Sequence, residues 1–391
     1  GVIPDFSQEK LLTDADIKGP GNAVGPYFDE TPLKDSLGAT LQELQLDGDV
    51  NARLHLDIPL NGELVTAKGE VTLRNNSLFI KPLDSTLKNL SGKFSFINSD
   101  LQSEPLTASW FNQPLNVDFS TKEGAKAYQV AVNLNGNWQP AKTGVLPEAV
   151  NEALSGSVAW DGKVGIDLPY HAGATYNIEL NGDLKNVSSH LPSPLAKPAG
   201  EPLAVNVKVD GNLNSFELTG QAGADNHFNS RWLLGQKLTL DRAIWAADSK
   251  TLPPLPEQSG VELNMPPMNG AEWLALFQKG AAESVGGAAS FPQHITLRTP
   301  MLSLGNQQWN NLSIVSQPTA NGTLVEAQGR EINATLAMRN NAPWLANIKY
   351  LYYNPSVAKT RGDSTPSSPF PTTERINFRG WPDAQIRCTE C

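Results

Sequence analysis

The chain has 391 residues and a formal net charge of −10, from 30 basic against 40 acidic side chains. It carries no basic stripe of the kind that tracks a phosphate backbone, which excludes a nucleic-acid binder, and no run of about 18 apolar residues that would mark a membrane span. With 32 Gly, 29 Pro and two Cys, the composition is that of a turn-rich β protein without a disulfide framework.

In chain order, residues 1–40 read as irregular, because GPGNAVGP at 19–26 is too broken for a helix or a long strand. From Leu41 to about Lys250 apolar and polar residues alternate almost without interruption. That period of two is the signature of strands with one buried face. The first stretch, LDGDVNARLHLDIPL at 46–60, places Leu46, Gly48 and Val50 in one phase. Val71 and Leu73 follow Gly69, Leu90, Phe94 and Phe96 surround Gly92, and Val130, Val132 and Leu134 lead into Gly136. At 154–170, LSGSVAWDGKVGIDLPY repeats the first stretch: it opens Leu-x-Gly-x-Val and closes on a proline with an apolar neighbour. Its apolar phase holds Val158, Trp160, Ile166 and Leu168. Ile178, Leu180 and Leu184 then surround Gly182, Val205, Val207, Val209 and Leu213 surround Gly211, and Phe216 and Leu218 precede Gly220.

Gly48, Gly69, Gly92, Gly136, Gly156, Gly182, Gly211, Gly220 and Gly380 all share the apolar phase. Glycines serving turns alone would not keep that phase. They either curve the sheet or leave room beneath it for a ligand, with curvature the leading reading.

Helices are scarce. One is predicted after an Asn269 cap, with Glu272 three residues on, an apolar stripe of Trp273, Leu274 and Phe277, and Gly280 as its stop. A shorter one lies in PEAVNEAL, 147–154. Proline-rich stretches at 190–202, 252–260 and 364–373 read as crossovers, since proline is excluded from central strands. The recurrence from 46 to 154 suggests repeats, divided as 41–146, 147–251 and 261–391 after an irregular 1–40.

More than a dozen one-faced strands pose a covering problem. Burying each apolar side chain is worth ~1.5–3 kcal/mol, so a wholly wet face would forfeit tens of kcal/mol. A second sheet, a closed barrel, or a trough filled by something other than protein would each solve it.

Catalytic patterns are missing. His55, His171, His190, His227 and His294 share no metal-ligand spacing, and His55 falls in the polar phase. Neither a Gly-x-Ser-x-Gly elbow nor a phosphate loop occurs, and Arg361-Gly362-Asp363 is too short a match to carry a function. The reading is therefore of a non-enzyme with no cofactor and no metal. Cys388 and Cys391 form a C-x-x-C. On an extended strand they would lie roughly 10 Å apart, so a disulfide requires a turn there. That bridge stays open, and no βαβ pattern surrounds it to suggest redox catalysis. Trp110, Trp138, Trp160 and Trp245 read as core or as lining of a lumen.

Four segments carry a family likeness: LSGKFSFINSDLQSEPLTASWFNQPLNVDF at 90–119, PPLPEQSGVELNMPPMNGAEWLALF at 253–277, WNNLSIVSQPTANGTLVEAQGREINATLAM at 309–338 and INFRGWPDAQI at 376–386. In their order and spacing they resemble the AsmA-like proteins of the bacterial envelope, over essentially the whole chain from residue 40. The resemblance implies an all-β fold, an elongated, twisted, repeating antiparallel β-groove with a hydrophobic lumen lined by the apolar-phase residues above. It also implies a periplasmic location within an inner-membrane-anchored protein. Its ligand would be phospholipid passing between inner and outer membranes, which are reached through segments outside this chain, and other envelope proteins would be its partners. The alternative is a structural or adhesive β-repeat scaffold with a core of protein alone.

Overall fold

A computed structural model describes residues 10–23, 44–61, 64–81, 84–283, 289–340, 342–353 and 385–388. Within them the chain is all-β, with two α-helices, and divides into two compact units. The first comprises Gly1–Leu191, Ala196–Gly223 and Trp232–Gln236; the second comprises Pro192–Leu195, Ala224–Arg231 and Lys237–Cys391.

The first unit is built on β1 (Lys10–Pro20), β2 (Leu44–Asp47), β3 (Asp49–Pro59), β4 (Thr66–Ile80), β5 (Ser85–Ile97), β6 (Asp100–Ser103), β7 (Leu106–Trp110), β8 (Gln113–Glu123) and β9 (Ala127–Trp138). It continues through the one-turn helix α1 (Glu148–Asn151), β10 (Leu154–Gly156), β11 (Val158–Pro169), β12 (Thr175–Asp183), β13 (Val187–Ser189), β14 (Ala204–Asn212) and β15 (Ser215–Ala222). Neighbours pair antiparallel in the order β1, β3, β4, β5, then β6 and β7 side by side, then β8, β9, β11, β12, β14, β15. β2 adds to β4, while β10 and β13 form a separate two-stranded ribbon. Short hairpins allow this meander, since antiparallel strands need only a few residues to reverse.

β16 (Asn226–Leu233) is divided between the units. The second unit then runs β17 (Leu238–Ala247), β18 (Gly260–Asn264), β19 (Met268–Asn269), helix α2 (Gly270–Glu283), β20 (Ala289–Ser290), β21 (Ile295–Leu304), β22 (Gln307–Thr319), β23 (Gly322–Gln328), β24 (Ile332–Arg339), β25 (Leu345–Leu351) and β26 (Gln385–Cys388). Its later strands, β21 to β25, form an antiparallel meander. Its earlier strands are parallel: β17 with β18 and β20, and β21 with β18 and β19, and β26 joins β25 in the same sense.

Three sequence expectations are corrected here. Lys10–Pro20, inside the segment expected to be irregular, is an eleven-residue strand paired with β3 from Lys10↔Pro59 to Pro20↔Asp49. Its Asp14, Asp16 and Lys18 hid a partial alternation with Ala15 and Ile17, and its pairing partner lies some 40 positions away. The expected antiparallel all-β sheet is the rule, and the parallel pairs occur where 248–259 and the segment around α2 are long enough to carry the chain back to the same strand end. α2 passes through Gly280 to Glu283, since one helix-interior glycine costs only about 1 kcal/mol. Leu213 follows the end of β14 and is 59% exposed, because the hairpin turn begins there. The start of α2 agrees with its predicted cap. Asn269 Oδ1 accepts from the Ala271 backbone N–H at 3.1 Å, and Asn269 Nδ2 donates to Glu272 Oε1 at 2.7 Å.

Candidate functional site

The register of the first unit sorts side chains into continuous rows. One row crosses five strands as Leu134, Gly162, Leu180, Val207 and Gly220; the next holds Val132, Val164, Ile178, Val209 and Leu218. A third runs Val130, Ile166, Tyr176, Gly211 and Phe216, and a fourth Gly136, Trp160, Gly182, Val205 and Ala222. On the earlier strands the same face holds Ile17, Ala52, Val71 and Phe94, beside Ala15, Leu54, Gly69 and Phe96.

The opposite face is polar in the same register. Asn116, Asn135, Asp161, Asn181, Asn206 and Gln221 stand across successive strands. Asn116 Nδ2 donates to Asn135 Oδ1 at 2.9 Å, Asn206 Nδ2 to Asn181 Oδ1 at 2.7 Å, and Asn181 Nδ2 to Asp161 Oδ2 at 3.3 Å. Cross-strand ion pairs decorate that face: Lys93 with Glu70 at 2.8 Å and Lys208 with Glu179 at 3.5 Å. The Lys93 ammonium holds the Glu70 carboxyl below its ordinary range. His55 Nδ1 lies 2.7 Å from Asp14 Oδ1, on the polar face as its phase required.

The two faces differ in covering as well as chemistry. In β9, Val130, Val132 and Leu134 are half-buried while Gln129, Ala131, Asn133 and Asn135 are exposed. In β14, Val205, Val207 and Val209 are likewise half-buried. Among the described residues each of these strands packs chiefly on its hydrogen-bonded neighbours, and Val132 and Leu134 also lie against the buried cluster that begins at β8. Half-burial of this kind forgoes about 1 kcal/mol per apolar side chain relative to full burial.

Toward β5 and β7 the same face closes on itself. Val50, Leu73, Leu87, Leu90, Leu106, Ala108, Leu115 and Val117 form a buried cluster against which Leu46, Val71, Phe94, Phe119, Trp138 and Trp160 pack. The predicted lining residues therefore divide. Val50, Leu73 and Leu90 are buried in protein. Leu46, Val71, Phe94, Phe96, Val130, Val132, Leu134, Val158, Trp160, Ile166, Leu168, Ile178, Leu180, Leu184, Val205, Val207, Val209, Phe216 and Leu218 are half-buried, while Gly48 is exposed. Gly162, Val164 and Tyr176 belong to the same rows and were missed, although each keeps the period of two.

The glycines have a specific use. A Cβ on Gly136 would meet Trp138 Nε1 at 2.8 Å, and one on Gly182 would touch Val158 and Trp160. Gly136 and Gly182 are the two cross-strand partners of Trp160, so the indole sits between two positions without side chains. Phe96 fills the place above Gly69, and Tyr176 and Phe216 fill that above Gly211. Glycine opposite an aromatic ring is a known means of fitting a large side chain to a sheet. At Gly69, Gly136 and Gly211 the space beneath the glycine is thus taken by protein rings, and at Gly92 by Leu106.

Gly48 and Gly156, the twin glycines of the sequence, are different. Both have a left-handed backbone, with φ of 94° and 93°. Each marks the break before a long strand, β3 or β11, that ends on Pro59 or Pro169.

At the hairpin ends of β8 and β9 a polar knot closes the sheet. Tyr128, fully buried, donates to the Ser99 carbonyl at 2.6 Å, and its hydroxyl lies 2.7 Å from Thr121 Oγ1, which donates to the same carbonyl at 3.1 Å. Burial pushes its phenol up to about 12. Ser99 Oγ donates to Glu123, and Lys122 pairs with Asp100. At the other strand ends Trp110, Phe111, Trp138 and Trp160 form a run of ring contacts, the last pair 4.8 Å apart and edge-on. Trp245 packs in the second unit beside the cluster of Ala247, Met265, Met268, Leu302 and Leu312.

Among the described residues no group of three or more His, Cys, Asp or Glu could hold a metal, and no helix is long and apolar enough to cross a membrane. Cys388 ends β26, whereas Cys391, Gly380 and Arg361-Gly362-Asp363 lie outside the described residues.

No solved structure matches the chain. Over 390 residues it is 99% identical to the intermembrane phospholipid transporter YhdP of Escherichia coli (strain K12), an alignment covering 100% of this chain and 31% of that relative. The chain therefore spans about a third of the length of the curated relative it matches. The family described as YhdP protein matches residues 1–391 from end to end, and the chain belongs to the YhdP family.

Proposed function

We propose that the open apolar face of the first unit holds phospholipid acyl chains, and that this chain is one stretch of a conduit carrying phospholipid between the inner and outer membranes through the periplasm. The observation that carries this reading is the pair of aliphatic rows through Leu134 and Val132, whose Val, Leu and Ile side chains are all half-buried and which are backed by a polar face. Acyl chains need no hydrogen-bond partner, so rows of Val, Leu, Ile and Gly suit them, while the Asn and Lys face stays in water. The name of the relative, an intermembrane phospholipid transporter, supports the same substrate. On this reading the three repeats 41–146, 147–251 and 261–391 each contribute a length of lining, the membranes are reached through parts of the longer protein, and no catalytic step is required.

A scaffold with a protein-only core is the rival, favoured by the buried cluster at Val50, Leu73 and Leu106. Native mass spectrometry and solvent extraction of the purified protein separate the two. Co-purifying phospholipid, displaced when Ile178 or Val207 is changed to Asp, supports the conduit. A stable protein free of lipid supports the scaffold.

A further inference from the structure

The rows are not uniform from end to end. Along β9 the apolar face reads Trp138, Gly136, Leu134, Val132, Val130, Tyr128, and along β11 it reads Trp160 to Tyr170 with aliphatic residues and glycine between. Trp therefore borders the aliphatic rows at one strand end, and Tyr borders them at the other. Trp138 Nε1 donates to the Pro114 carbonyl at 2.7 Å and Trp160 Nε1 is buried, so the Trp end is closed by protein; an aromatic ring suits the boundary of hydrocarbon and water where its polar atom can still reach water.

The tyrosines at that border are not equivalent. Tyr128 donates to Ser99 and lies against Thr121 Oγ1, and Tyr170 donates to the Gly124 carbonyl at 3.0 Å, so both hydroxyls are committed to protein. Tyr176 is half-buried over Gly211, whose missing Cβ would sit 2.7 Å from its hydroxyl. Among the described residues that hydroxyl has no hydrogen-bond partner. Burial raises the Tyr176 phenol above its ordinary value, so the group stays a neutral donor.

Resting on the lipid reading above, we propose that the tyrosine border sets the depth of the bound phospholipid: its glycerol-ester and phosphate oxygens lie level with Tyr176, whose hydroxyl donates to one of them, and its acyl chains lie along the rows through Val207 and Val209. Tyr176 is then a positioning residue for the headgroup end, and Gly211 is the slot that lets its ring lie flat enough to do so.

The test uses the full-length protein and two phosphatidylethanolamine probes, one with a diazirine beside the headgroup and one with a diazirine at the acyl terminus, with labelled residues located by mass spectrometry. The headgroup probe is expected to label the 174–176 region several-fold more than Val207, and the acyl probe to show the reverse preference. Tyr176→Phe keeps the ring and removes only a hydroxyl without a protein partner. It should leave the melting temperature and acyl labelling at Val207 unchanged while cutting headgroup labelling several-fold. Equal labelling of both regions by both probes, or a Tyr176→Phe protein labelled like the parent, overturns the depth assignment while the lipid reading stands. Absence of acyl labelling anywhere on the apolar face overturns the lipid reading and this assignment with it.

Discussion

Gly156 combines a φ of 93° with a missing Cβ that would lie 1.9 Å from the Asn186 carbonyl oxygen. Gly156→Ala should therefore destabilise by about 1–3 kcal/mol, through both backbone strain and the forced shift of Asn186. Gly173, with nothing within 4 Å of its Cβ position, is the control, and its alanine variant should unfold within about 0.5 kcal/mol of the parent. Urea midpoints of the two variants check this; equal midpoints contradict it. At Tyr128, removal of the hydroxyl leaves the buried Ser99 carbonyl with the longer bond from Thr121 Oγ1 alone, so Tyr128→Phe should cost about 1 kcal/mol. The same residue gives a pH test. Its folded phenol is held at about 12 against an ordinary value near 10, so the folded state favours the protonated form. That contribution is complete below pH about 10 and is lost as pH rises towards about 12. The parent should lose stability over that window more steeply than Tyr128→Phe, in denaturation midpoints taken at successive pH values.

Elements show what a sequence can and cannot announce. β3 and β11 were legible because each follows a glycine, runs in alternation and closes on a proline, signals that lie within the strand or just before it. α2 was legible at its start for the same reason: Asn269 and Glu272 complete the cap locally. Asn269→Ala should cost about 1 kcal/mol and raise amide exchange in the first turn of α2, leaving β8 and β9 unaffected. β1 was not legible, because its charged outer residues are answered by Arg53, His55 and Asp57 on a strand far along the chain. The parallel pairs of β17, β18 and β21 were hidden too, since strand direction depends on where a crossover lands. The apolar phase of the candidate site was readable almost residue by residue. Which of those residues end in a buried cluster and which stay half-open was not, because that depends on how β2, β5 and β7 close over Val50 and Leu73. Nor could alternation reveal that Gly136 and Gly182 are the cross-strand partners of Trp160, a relation fixed only by register.

At the scale of the whole molecule, the proposed function requires lipid over the rows that protein leaves half-covered. A charge placed in them should be costly twice over. Ile178→Asp would set a carboxylate among Val164, Val209 and acyl chains, and should abolish lipid co-purification while lowering stability by about 1–3 kcal/mol, as burial of an uncompensated polar group does. The most direct measurement compares Val207 with Lys208, neighbours on β14 whose side chains face opposite ways. A photo-crosslinking amino acid at Val207 in the full-length protein in cells should capture phospholipid, and the same group at Lys208 should not. Equal capture at both positions, or capture at neither, would contradict the account.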